Sequence, residues 1–320
     1  MPLDLTGKAF GKKQPIEVTA EPVTKPESTP KTGTDTAWTT VSPKFRMDDL
    51  ILDESTREAL LDASSFYAHL EKLMDEWGLR ARFSDRCNLS INLYGESGTG
   101  KTMAAHAIAN ELGKEILFVD YAEIESKYVG ETAKNIKQLF ETAKDLDAVI
   151  IFDEADALLS KRVTDMRSST DVSVNQTRSV LLNILNDYTG VVIFTTNFIQ
   201  NFDPAFIRRI RYQIKFNLPN EELRQKLWRM YIPEELPTDL DIDDIAKRYD
   251  GISGSDIANA VFSAATKAAR TEQSVVEGHY FCEAIEQIIN AKKANAGPAE
   301  TITRRKVSED YVKEQLKIKE

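Results

Sequence analysis

Between Gly95 and Thr102 the chain reads GESGTGKT, a G-x-x-x-x-G-K-[ST] spacing whose residue types suit one task. Gly95, Gly98 and Gly100 let a backbone turn its N–H groups inward around phosphate oxygens, with Glu96, Ser97 and Thr99 carried on the same turn. Lys101 has the reach for β and γ phosphates, and the Thr102 hydroxyl suits Mg²⁺. Further on, AVIIFDEADALL brings Asp153 and Glu154 to the end of an apolar run, where an acidic pair without a task would be costly to bury. There Asp153 would orient Mg²⁺ and Glu154 would polarise a water for attack on a γ phosphate. The two motifs together imply hydrolysis of ATP as well as binding.

Two further segments fit the same chemistry. VVIFTTN ends in Asn197, a polar tip on an apolar run, placed to touch the attacking water or the γ phosphate. FDPAFIRRIRYQIKF gathers Arg208, Arg209 and Arg211. A guanidinium is always charged and matches phosphate geometry, so one of the three, presented to a neighbouring subunit's ATP, would stabilise transition-state charge. That reading requires the chain to oligomerise.

The elements that must position these residues are legible as short apolar runs at 89–94, 115–120, 148–153, 191–196 and 212–216, with amphipathic stretches between most of them. Such alternation predicts a parallel sheet covered by helices. After Pro219 the period changes to 3.6, and four helical stretches follow. The expected organisation is a tail over 1–43, an α/β nucleotide-binding domain over 44–219, a helical lid over 220–296 and an extension with a terminal helix over 297–320. The tail, rich in Pro, Thr, Lys and Glu, has too little apolar surface to offset its ordering entropy.

The 320 residues carry 41 Lys and Arg against 51 Asp and Glu, a net charge of −10 that gives no global pull toward nucleic acid. No apolar run is long enough for a membrane helix, and the first residues lack the apolar core of a signal peptide, so a cytoplasmic protein without membrane partners is expected. Two cysteines far apart, Cys87 and Cys282, read as buried thiols. None of the three histidines lies in an HExxH, which excludes that type of metalloprotease.

Over about residues 44 to 296 the set resembles the AAA clade of AAA+ ATPases: the order of the motifs matches, and YDGISGSDIANAVFSAATKAAR over 249–270 resembles that clade's GxSGADI lid segment. The resemblance implies a five-stranded parallel sheet sandwiched by helices, followed by an all-helical lid, assembled as a hexameric ring around a pore. It places Gly254 and Ser255 near adenine and ribose, and DDLIL, with Leu50 at its centre, on the other side. It also places SKYVGE in the pore, where Tyr128, flanked by Lys127 and Val129, would grip an extended protein client, and it makes 160–176 a second pore-facing loop. Glu96 and Ser97 stand where the clade has prolines, the arginine segment is shortened, and NDYTG replaces ELDGF. A nucleic-acid motor or loader and a nucleotide-gated scaffold are the alternatives to a protein-remodelling ATPase.

Overall fold

The computed structural model describes residues 38–83, 88–120, 132–160, 169–197 and 202–295. Its strands are β1 (Leu89–Gly95), β2 (Ile116–Asp120), β3 (Val149–Asp153), β4 (Val191–Thr196) and β5 (Tyr212–Phe216). Its α-helices are α1 (Glu54–Ala68), α2 (Arg80–Phe83), α3 (Lys101–Glu111), α4 (Thr132–Asp145), α5 (Asp156–Leu159), α6 (Ser169–Asp187), α7 (Pro204–Ile207), α8 (Glu221–Tyr231), α9 (Ile242–Arg248), α10 (Gly254–Arg270) and α11 (Gly278–Asn295).

The strands form one sheet in the order β2-β3-β4-β1-β5, every neighbour parallel. The period-2 arithmetic of a strand sends alternate residues to opposite faces, and here both faces are covered. Ile150 and Phe152 of β3 join Val192 and Phe194 of β4 in a core closed by α4 and α6. Val149 and Ile151 join Leu89, Ile91 and Leu93 of β1 in a second core against α1 and α3. A strand buried on both faces must be apolar almost throughout. Fully buried Ser90 and Asn92 are the polar exceptions on β1, and Asn92 donates to Gln213 of β5 (2.9 Å) and accepts from Thr196 of β4 (3.2 Å), tying three strands together.

The five strands and the parallel sheet agree with the sequence reading. The helices α8 to α11 pack on a third core, with Trp228, Phe281 and Ile285 at its centre. The starts of α8 and α9 are held by side-chain caps. Asn220 accepts from the Leu223 N–H at 2.9 Å, and Asp241 accepts from the N–H groups of Asp243 and Asp244, both at 3.0 Å. At the junction between sheet and helices Arg224 is buried, donating to the carbonyls of Pro219 (2.7 Å) and Ala246 (2.9 Å) and pairing with Asp250 (2.7 Å).

Two expectations need correction. Residues 38–43 do not behave as tail: Val41 and Ile116 exchange two backbone hydrogen bonds (2.8 and 2.9 Å) in an antiparallel bridge, and Trp38 packs against the first of the two sheet cores. This short strap covers part of the open edge of β2, a tertiary contact that composition cannot register. Cys282 is half-buried, not buried, with the Arg248 Nη1 3.8 Å from its Sγ. Cys87, the segment 121–131 with Lys127, Tyr128 and Val129, and the extension from 296 on lie outside the described residues. Within the polar segment 160–176, the chain is helical from Ser169 onward as the start of α6.

Candidate functional site

Because all five strands run the same way, their carboxyl ends share one border of the sheet, where open α/β folds place ligands. The end of β1 becomes the Gly95–Thr102 loop, that of β3 delivers Asp153 and Glu154, and that of β4 delivers Asn197. The wall opposite comes from Asp49–Asp53 and from the start of α10. Together they enclose a cleft of about 300 Å³ lined by Gly98, Lys101, Thr102, Asp153, Glu154, Asn197, Leu50, Gly254 and Ser255, among others. Leu50 contributes to this wall while most of its side chain packs into the sheet core.

The loop needs its glycines for different reasons. Gly100 caps α3 at φ 96° and Gly98 lies at φ 76°, both in the left-handed region where a side chain is strained. A Cβ on Gly98 would also stand 2.6 Å from the Ser253 hydroxyl and 2.8 Å from Ser255 Cβ. The loop therefore touches the helical unit directly, and the Ser255 N–H donates to the Gly98 carbonyl at 3.2 Å. Lys101 opens α3, buried to 7% exposure, its Nζ donating to the carbonyls of Gly95 (2.9 Å) and Glu96 (2.8 Å). Burial pushes its ammonium pKa down, against the fields of Asp156, Asp153, Glu96 and Glu154.

The acidic end of β3 is held by hydroxyls. Thr102 Oγ1 donates to Asp153 Oδ1 at 3.0 Å, and Thr195 Oγ1 donates to the same oxygen. The Glu154 N–H donates to Thr195 Oγ1 at 3.1 Å. Glu154 sits at φ 50°, a left-handed conformation that a residue with a Cβ adopts at a cost. Its carboxylate is exposed in the cleft.

Asp156, which sequence reading passed over, belongs to this group. Its two carboxylate oxygens accept the Asn197 N–H at 3.1 and 3.2 Å, and its field is the largest acting on Lys101. The signal for it was the last acid of DEAD, three residues past Asp153, but its partner is a main-chain group just past the end of β4.

The three arginines separate. Arg209 is spent within the chain: Nε donates to Asn186 Oδ1 (2.8 Å) and Nη1 to the Ala205 carbonyl (3.0 Å). The Arg211 guanidinium lies 4.0 Å over the Phe66 ring. Arg208 is exposed, its Nε 3.4 Å from the Pro204 carbonyl. The segment is clamped to β1 by the buried Ser90, whose hydroxyl donates to the Arg209 carbonyl (3.0 Å) and accepts from the Arg211 N–H (3.1 Å). Asn186 belongs to the NDYTG segment, which is thereby tied to the arginines; its Tyr188 is buried edge-on against Phe140, 4.9 Å between centroids.

A parallel α/β sheet with a phosphate-type loop at its centre and a helical unit closing over that loop defines a P-loop protein with a lid. Residues 91–220 match the family described as "ATPase family associated with various cellular activities (AAA)", and residues 239–283 match the AAA+ lid domain. The chain belongs to the AAA family. It is similar to the proteasome-activating nucleotidase of Methanopyrus kandleri, 31% identical over 80% of this chain and 59% of that one. It is also similar to proteasome-activating nucleotidase 2 of Haloferax volcanii, 33% identical over 67% of this chain and 53% of the relative. A third relative is the probable 26S proteasome regulatory subunit 10B of Caenorhabditis elegans, 32% identical over 63% of this chain and 51% of the relative. The chain thus spans somewhat over half the length of these relatives. Among the described residues no helix is long and apolar enough to cross a membrane, and no cluster of His, Cys, Asp and Glu forms a metal site.

Proposed function

We propose that this protein is an ATP-hydrolysing motor that works as a homo-oligomer, a hexameric ring, in the cytoplasm and remodels, unfolds or threads a protein client through its pore. The observation that carries the reading is the acidic end of β3: Asp153 bonded to the Thr102 hydroxyl, with the strained Glu154 beside it and open to the cleft.

The residues fit ATP and Mg²⁺. The glycine turns expose loop N–H groups to a triphosphate, and Lys101, already desolvated, exchanges its carbonyl partners for phosphate oxygens. Thr102 and Asp153 are the oxygen donors for Mg²⁺, which when bound neutralises charge on the phosphate oxygens. Glu154 accepts a proton from the attacking water, and Asn197 orients that water. Leu50 on one side, and Gly254 and Ser255 on the other, hold the base and ribose. Arg208 is the residue presented to a neighbour's ATP, because Arg209 and Arg211 are occupied within their own subunit. Tyr128, with Lys127 and Val129, is the proposed grip on the client. The relatives carry the proteasome in their names; for this chain the proposal stops at a protein client.

The test is a pair of variants. Lys101→Ala abolishes ATP binding by calorimetry, and Glu154→Gln binds ATP without turning it over. Full turnover in either one overturns the reading. Glu154→Gln loaded with ATP then co-purifies with a protein; nucleic acid in its place supports a loader, and nothing bound supports a scaffold.

A further inference from the structure

The site described so far ends at Ser255, but the hydrogen bonds do not. Ser253 is the N-cap of α10 and forms a capping box with Asp256: the Ser253 N–H donates to Asp256 Oδ2 at 2.6 Å, and the Asp256 N–H donates to Ser253 Oγ at 3.3 Å. Two features go beyond what a cap requires. The Ser253 hydroxyl also donates to Asp256 Oδ2 (2.8 Å), and the same oxygen takes the ammonium of Lys292, near the end of α11. The Asp256 side chain is 9% exposed and that of Lys292 50%. A carboxylate so far out of water calls for a paired counter-charge, and the chain supplies one from 36 residues away. Ser253 also stands against the phosphate loop, since a Cβ on Gly98 would come within 2.6 Å of the Ser253 hydroxyl and the Gly98 carbonyl holds the Ser255 N–H.

We propose that Asp256 and Lys292 are positioning residues for the bound nucleotide, a relay that runs from α11 through Asp256 and Ser253 to Gly98 of the phosphate loop. The Lys292 ammonium holds the Asp256 carboxylate in place. Asp256 fixes the Ser253 hydroxyl, and the fixed Ser253–Ser255 turn seats the loop at the height at which its N–H groups meet the phosphates. The same relay carries force in the other direction: a triphosphate that draws the loop toward itself draws the start of α10 and the end of α11 with it. The relay rests on the ATP-binding reading above and adds the residues that set the affinity of that site from outside it.

The experiment compares the full chain with Lys292→Met, Lys292→Arg and Asp256→Asn, reading ATP dissociation constants by calorimetry and steady-state KM and kcat. Helicity and melting temperature are followed alongside. Lys292→Met keeps the hydrophobic stem and loses the charge. Its Kd and KM for ATP rise on the order of three- to tenfold, the scale of coupling expected from a residue that does not touch the ligand, while kcat at saturating ATP stays within about twofold. Lys292→Arg restores the wild-type constants, and Asp256→Asn moves them in the same direction as Lys292→Met. An unchanged Kd in Lys292→Met overturns the relay. So does a loss of Kd, kcat and melting temperature together that Lys292→Arg fails to rescue, which marks a purely structural ion pair. A wild-type chain that binds no ATP overturns the proposed function as a whole and is distinguished by that first measurement.

Discussion

At the scale of single residues, the informative groups are those whose neighbours give them a second job. Asp156 holds the Asn197 N–H and at the same time acts electrostatically on Lys101. Asp156→Ala should therefore lower kcat on the order of tenfold to a hundredfold, as misplaced groups do, with a smaller change in ATP affinity, measured by steady-state ATPase assays. His106, on α3, gives a test of stability. It is buried between Phe45 and Phe118, with Nδ1 accepting from the Lys44 N–H at 3.4 Å. Burial lowers its pKa below the ordinary 6.5, the Lys44 charge lowers it further, and Asp153 opposes them. The folded state thus keeps His106 neutral where the unfolded chain takes up a proton, so its contribution is complete above pH 6.5 and is lost as pH falls below that value. Thermal melts should show wild type losing more stability than His106→Gln on acidification through that window. Neither role could be read from the sequence, because Asp156 depends on a main-chain donor just past the end of β4 and His106 on what packs over it.

At the scale of elements the sequence was far more informative. The strands were legible because burial on both faces demands unbroken apolar runs, and the observed strands fall within a residue of those runs. The lid helices were legible from their 3.6 period, and in the structure Asn220, Asp241 and Ser253 cap the starts of α8, α9 and α10. The strap at 38–43 was not, since a single bridge to Ile116 leaves no periodic trace in the six residues WTTVSP. Nor was the division of labour among Arg208, Arg209 and Arg211, which depends on Asn186, Phe66 and Ser90 from three other elements. Where β1 meets β5, a Cβ on Gly95 would stand 2.1 Å from the Phe216 carbonyl oxygen, a backbone atom that cannot swing aside. Gly95→Ala should cost about 1–3 kcal/mol, the range of overpacking in a core, seen as a lower urea midpoint.

At the scale of the whole molecule, the exposed Arg208 makes each subunit incomplete under the proposed function. Arg208→Ala should lower turnover on the order of 10³-fold or more while leaving ATP binding intact. Mixing it with the equally inactive Lys101→Ala should restore activity, because one partner brings an intact ATP site and the other an intact arginine. ATPase assays on the separate and mixed proteins check this, and wild-type turnover in Arg208→Ala alone overturns the division of labour.

The bridge between Val41 and Ile116 has a practical consequence. Trimming the protein where its composition changes, at residue 43, would strip the selvedge from the sheet and bare unpaired amides along β2, an invitation to stray strands. Cutting ahead of Trp38 leaves that hem sewn, so the slightly longer fragment should stay clear in solution where the shorter one turns cloudy.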